Sequence, residues 1–161
     1  MTPTLFLGKT TEYLVLSRLL KEQREAYLPA VDDHGVDVIV RTRHKGEDEG
    51  LSAVASYEFA SEEERAACLA EEFQEIQIKS AASNGLFAAM KITPAPNYWF
   101  VFYVQSHDTM WLINSMDVVR LGSQNSPTCK NPGLYSLSLA TSKKIRPLLA
   151  RYVVADFSKL P

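Results

Sequence analysis

The sequence predicts one mixed α/β domain, a central sheet with helices packed on it. Three observations carry that expectation. An apolar repeat at helical spacing (Leu16, Leu19, Leu20) stands near the start. Runs that alternate polar and apolar side chains at period two follow at 36–43 and 73–79. The run 98–105 is apolar on both faces, as in a strand covered from two sides. With 161 residues, 46% of them hydrophobic, the chain has the length of a single domain and enough apolar material for a core.

In chain order, Thr10-Thr11-Glu12 is read as the start of a helix running through Tyr13 to Arg24. Either threonine can cap it, and a glutamate in the first turn suits the helix dipole. Glu12, Leu16 and Leu19 stand at i, i+4 and i+7, so they share one face. If the leucines pack on a sheet, Glu12 leans over the sheet's edge. The plainer reading is an exposed glutamate favoured only by the dipole. A weak strand at 27–31 is confined to an edge or to its own start by Pro29. Asp32-Asp33-His34-Gly35 is turn chemistry. The strand at 36–43 puts Val36, Val38 and Val40 on one face, with Asp37 and Ile39 on the other. Strand interiors are depleted in aspartate, so Asp37 asks for an explanation.

His44 to Gly50 reads as a charged hairpin tip and Leu51 to Phe59 as its return strand. Ser61 and Glu64 have capping-box spacing for a short acidic helix reaching about Glu72. In the strand at 73–79, Phe73, Glu75, Gln77 and Lys79 point one way, while Gln74, Ile76 and Ile78 point the other. Three consecutive polar side chains on one face mark a cleft or solvent. Residues 86–93 fit a helical turn or a strand equally. Residues 110–113 pair with the strand at 98–105 through a turn at Ser106-His107-Asp108. Asn114-Ser115 begins a helix to about Leu121, a polar loop spans 122–133, and 134–139 is a further strand. Pro147 fits the first turn of a helix across the tail, Ile145 to Leu160.

Composition excludes several function classes. No hydrophobic run approaches ~20 residues, so no membrane span is expected, and the N-terminal residues do not resemble an export signal. Cys68 and Cys129 are too few and too far apart for a metal knuckle or a disulfide framework. A reduced, cytoplasmic protein is expected. No glycine-rich phosphate loop or Gly-x-Ser-x-Gly is present. The net charge of −2 is uneven: residues 1–79 hold 9 basic and 16 acidic residues, and residues 80–161 hold 8 and 3. Such asymmetry fits a basic surface for a polyanion beside an acidic site that needs a cation, or two halves that intermix on folding. Lys143, Lys144, Arg146 and Arg151 are either phosphate contacts or plain surface.

One constellation stands out. Hydrolysing a phosphodiester needs a deprotonated water and neutralisation of charge on the phosphate oxygens. A hard divalent ion held by oxygen ligands supplies both. Asp37 offers a carboxylate, Gln77 an amide oxygen and Ile78 a main-chain carbonyl. Lys79, on Gln77's face, would hold the water or the phosphate. Glu12 could reach the ion through a bound water.

An early helical Glu12, then Gly35-Val36-Asp37-Val38-Ile39, then Gln77-Ile78-Lys79 on a following strand resembles the PD-(D/E)XK nuclease superfamily. It is similar to the small prokaryotic members with Gln-x-Lys, relatives of Holliday-junction resolvases and Mrr-type nucleases. The resemblance implies a restriction-endonuclease-like αβββαβ core over about 8–105, with strand and helix additions to the end. It also implies Mg²⁺-dependent cleavage of DNA (with Mn²⁺ able to substitute), and a homodimer. Its catalytic set would be Glu12, Asp37, Gln77 and Lys79, with Asp37, Gln77, the Ile78 carbonyl and Glu12 around the ion. Three departures accompany it. Gln77 stands in place of a second carboxylate, which Glu75 two positions earlier only partly replaces. No proline precedes Asp37, and 44–72 is a long acidic insertion. Two further readings stay open: the same fold with an impaired metal site, binding nucleic acid or a protein partner, and an unrelated α/β domain in which Asp37 and Lys79 pair.

Overall fold

The computed structural model describes residues 3–29, 35–42, 73–128, 130–141 and 144–161. The expected hairpin tip at 44–50, its return strand and the acidic helix lie outside the described residues.

Helix α1 spans Pro3–Lys21, with the proline in the first turn where its missing N–H costs nothing. The helix therefore begins well before Thr10, correcting the cap assigned to Thr10 and Thr11. Their hydroxyls instead donate back to the Phe6 and Leu7 carbonyls, both at 2.8 Å, the i−4 bonding of threonines within a helix. α1 ends in a reversal at Gln23, whose φ is +58°. The N–H groups of Gln23 and Arg24 donate to the Leu20 and Leu19 carbonyls, each at 3.0 Å, closing the last turn.

Short strands β1 (Ala26–Tyr27) and β2 (Val38–Arg41) are followed by β3 (Phe73–Ala81) and β4 (Leu86–Met90). β5 (Tyr98–Val104), a 3₁₀ turn (Gln105–His107) and β6 (Thr109–Asn114) come next. The main sheet has the order β1-β2-β3-β5-β6. β3 lies at its middle, antiparallel to β2 and parallel to β5, while β5 pairs antiparallel with β6. The undecided stretch 86–93 thus resolves as a strand. The apolar run at 98–104 is an interior strand, as its two apolar faces require, but the middle place belongs to β3.

The sheet divides the core. On one face α1 packs Val15 and Leu19 over Val38, Val40, Ile76 and Ile78. On the other, Phe100 and Phe102 meet Phe87 and Met90 of β4 and Val118 of helix α2 (Ser115–Leu121). Asn114 caps α2 by accepting from the Met116 N–H at 3.1 Å. A second sheet, β4-β8-β7, adds β7 (Ser123–Gln124) and β8 (Tyr135–Ser138) on that same side. A small hairpin, β9 (Ala140–Thr141) with β10 (Lys144–Ile145), follows. A five-stranded mixed sheet flanked by helices is the fold class that the sequence predicts.

The tail departs from expectation. Pro147 opens a 3₁₀ segment that stops at Tyr152, and no helix continues to Leu160. The chain instead crosses to the α1 face, where Phe157 and Leu160 are buried. The Arg24 guanidinium donates to the main-chain oxygens of Pro161 (2.7 Å), Leu160 (2.6 Å) and Phe157 (3.2 Å). The Glu22 carboxylate accepts from the Phe157 N–H at 3.0 Å. These polar ties hold the tail where a helix would turn away.

Candidate active site

β3 carries the site because its two faces differ. Ile76 and Ile78 enter the core beneath α1, while Glu75, Gln77 and Lys79 face the opposite side. There they line a cleft of about 790 Å³, walled by β4 and by the turn at Gly35 and Val36. That volume is within the range of small-ligand sites. Glu75 is exposed, Lys79 half-buried and Gln77 only 8% exposed. Among the described residues, none of these three side chains has a hydrogen-bond or ion-pair partner. Their polar groups are left for the contents of the cleft.

Asp37 stands one residue before β2, beside Gln77, without lining the cleft itself. Val38 pairs with Ile76, and the Asp37 N–H donates to the Ile76 carbonyl at 2.9 Å. Continuing that register sets Asp37 opposite Gln77. One Asp37 carboxylate oxygen, Oδ2, accepts from the Ile78 N–H at 2.6 Å. This charge-assisted bond extends the ladder by one rung past the end of β2 and fixes the carboxylate. In a strand, the N–H and C=O of one residue point to the same edge. The Ile78 carbonyl therefore faces the Asp37 side, where β2 has ended.

Gly35 positions Gln77. Its φ of +72° is left-handed. A Cβ at Gly35 would collide with the Gln77 side-chain amide, so the amide lies against bare backbone. Tyr98, 8% exposed, completes the floor beside Glu75, with which it pairs across β3 and β5. Burial, together with the nearby Glu75 and Asp37 carboxylates, pushes its phenol up to about 12.

Glu12 stands apart from this group. Its carboxylate pairs with Lys9 on its own helix at 2.7 Å, and it does not line the cleft. α1 covers the reverse face of the sheet, so Glu12 approaches from the opposite side to Gln77 and Lys79. Of the cationic cluster near the tail, Arg146 donates to the Ser138 carbonyl and Arg151 to the Tyr152 hydroxyl. Neither lines the cleft.

The chain matches no family model and no curated protein sequence. Its structure is similar to that of a bacterial homing endonuclease, with a TM-score of 0.54 at 12% identity. The match covers 95% of this chain and 88% of that one. The fold is nuclease-like. At that identity the likeness is one of fold. No described helix is long and apolar enough to cross a membrane.

Three further cleft residues, Tyr98, Lys91 and Thr93, are absent from the sequence-derived set. Lys91 and Thr93 follow β4, whose pairing with β8 shifts register between Phe87 and Met90. Ala89 sits in that irregularity at φ +58°. An alanine gives no sequence signal for a left-handed turn. Tyr98 could have been suspected only as the one hydroxyl-bearing aromatic on Glu75's side of β5.

Could the site hold a divalent cation? Among the described residues, no three His, Cys, Asp or Glu side chains gather as a metal group. The oxygens gathered here are the Asp37 carboxylate, held by the Ile78 N–H, an unpartnered amide (Gln77), the Ile78 carbonyl and an unpartnered carboxylate (Glu75). All are hard oxygens, three on β3 and one just before β2. Such a set suits an ion that keeps several waters and takes only one or two carboxylates, as Mg²⁺ does.

Proposed function

We propose that this chain is a member of the PD-(D/E)XK nucleases that hydrolyses phosphodiester bonds in DNA with Mg²⁺. The observation that supports the reading most is that Asp37 is bonded to Ile78 beside Gln77, while Gln77 and Lys79 line one cleft. The sequence pattern named those residues without reference to any contact. The nuclease-like fold and the structural likeness to a homing endonuclease agree with it.

Asp37, Gln77 and the Ile78 carbonyl would hold the ion, which supplies Lewis acidity and a lowered water pKa when bound. The chain's own residues do the rest. The Asp37–Ile78 bond orients the carboxylate before any ligand arrives. Gly35 keeps the Gln77 amide on the cleft side. Lys79, two residues beyond Gln77 on the same strand face, places an ammonium against the attacked phosphate and neutralises charge there. Glu12, paired with Lys9 on the α1 side of the sheet, has no part in this scheme.

The test is cleavage of plasmid and branched DNA in Mg²⁺ or Mn²⁺. Asp37→Ala and Lys79→Ala should each lower the rate by at least about a hundredfold, the size of one lost electrostatic contact. Undiminished cleavage in both variants removes the site assignment. A second reading rests on Gln77 itself: with one charge fewer than a paired-carboxylate site, the cleft could bind DNA without cutting it. Salt-sensitive DNA binding with no cleavage in either metal would select that reading.

A further inference from the structure

The Tyr98 hydroxyl is unassigned by the chemistry above. Its ring packs against Phe100 with centroids 5.2 Å apart, which fixes it in the floor of the cleft. The residue is 8% exposed, yet its hydroxyl bonds to none of the described residues. It lies near two carboxylates, those of Glu75 and Asp37, without bonding to either.

We propose that the Tyr98 hydroxyl is a substrate contact, donating a hydrogen bond to a non-bridging oxygen of the phosphate held in this cleft. The inference rests on the phosphodiesterase reading and adds a catalytic residue to it. In the free protein, water in the cleft can satisfy the phenol. A substrate that displaces that water must supply an acceptor, because an orphaned buried hydroxyl opposes binding. Phosphate oxygens are the densest acceptors on a DNA backbone, whereas sugar carbons offer none. A neutral donor suits the position. Lys79 already brings a positive charge, and a second cation beside Glu75 and Asp37 would pair with them instead of with the substrate. A phenol donates without being captured in this way.

Tyr98→Phe removes one oxygen and keeps the ring on Phe100. Tyr103→Phe is the control, since that hydroxyl bonds Asp108 on the surface, away from the cleft. In steady-state cleavage, Tyr98→Phe should lower kcat/KM about tenfold, and Tyr103→Phe should leave it unchanged. A methylphosphonate at the scissile position should slow the wild type more than it slows Tyr98→Phe, because the variant has no bond left to lose. If the protein binds DNA without cutting it, the same loss should appear as about tenfold weaker binding to a labelled duplex. The slope of log K on log salt should then be unchanged, because no cation has been removed. Wild-type rates, affinities and methylphosphonate sensitivity in Tyr98→Phe overturn this assignment alone. A wild-type protein that neither binds nor cleaves DNA overturns the phosphodiesterase reading and this assignment with it.

Discussion

Gly35 and Gly133 form a matched pair that isolates one contact at the site. Both have left-handed backbones, with φ of +72° and +75°. A Cβ on Gly35 would strike the Gln77 amide, whereas a Cβ on Gly133 would meet nothing within 4 Å. Placing alanine in a left-handed conformation costs about 1–2 kcal/mol. Both Gly35→Ala and Gly133→Ala should therefore lower stability by that amount, a fall in Tm of about 2–8 °C for a chain of this size. The added collision at Gly35 is with the far end of a flexible side chain, which can rotate away at little extra cost. Stability should thus fail to separate the two variants, and the site should separate them. Thermal unfolding measures the first quantity. The Gln77 side-chain amide resonances in a ¹H–¹⁵N spectrum, together with the cleavage rate, measure the second. Gly35→Ala should shift those resonances and slow cleavage, and Gly133→Ala should do neither. Identical spectra and rates in the two variants would refute the claim that Gly35 sets Gln77. A Gly35→Ala protein as stable as wild type would refute the left-handed turn.

Two further predictions concern stability. Arg24→Ala leaves the Phe157, Leu160 and Pro161 oxygens without their buried cationic donor. It should cost about 3 kcal/mol in urea unfolding and expose the chain after Tyr152 to limited proteolysis; an uncut tail would show that Phe157 and Leu160 alone hold it. Tyr98 gives a pH dependence in metal-free protein. Its folded pKa of about 12 lies above the usual value of 10, so the unfolded chain loses this proton first as pH rises. The contribution is intact below about pH 10 and drains away by about pH 12, because the folded state then binds more protons. Between about pH 9 and 11.5 the wild type should lose about 2 kcal/mol more than Tyr98→Phe. Parallel pH profiles would mean that the phenol is solvated.

Period-two alternation made the chemistry of β3 legible, because Ile76 and Ile78 are so unlike Glu75, Gln77 and Lys79. It gave Asp37 a face as well. It could not give the register of Val38 on Ile76, which is what sets Asp37 opposite Gln77, since that depends on a partner strand distant in sequence. Thr10 and Thr11 misled because a threonine that caps a helix and one that bonds back to the i−4 carbonyl have the same local sequence; Leu5 to Leu7, which continue α1 upstream, decide between them. Pro147 was a sound sign of a helical first turn, but the length of the turn was settled by Arg24, more than a hundred residues away. Tyr98 lay hidden in an aromatic run. Its ring belongs to the core and its oxygen to the cleft, and only the fold of β4 over the sheet separates those roles.

The two faces of β3 place an unusual restriction on how this chain can change. A shift of one residue in its pairing would turn Gln77 toward α1 and bring Ile76 or Ile78 into the cleft. Core and site are thus indexed by a single register, and no insertion or deletion within the strand can disturb one while sparing the other. What remains open to substitution is the kind of side chain at each outward position. Gln77, standing where a carboxylate could stand, is a place where such a change alters the chemistry and leaves the architecture alone.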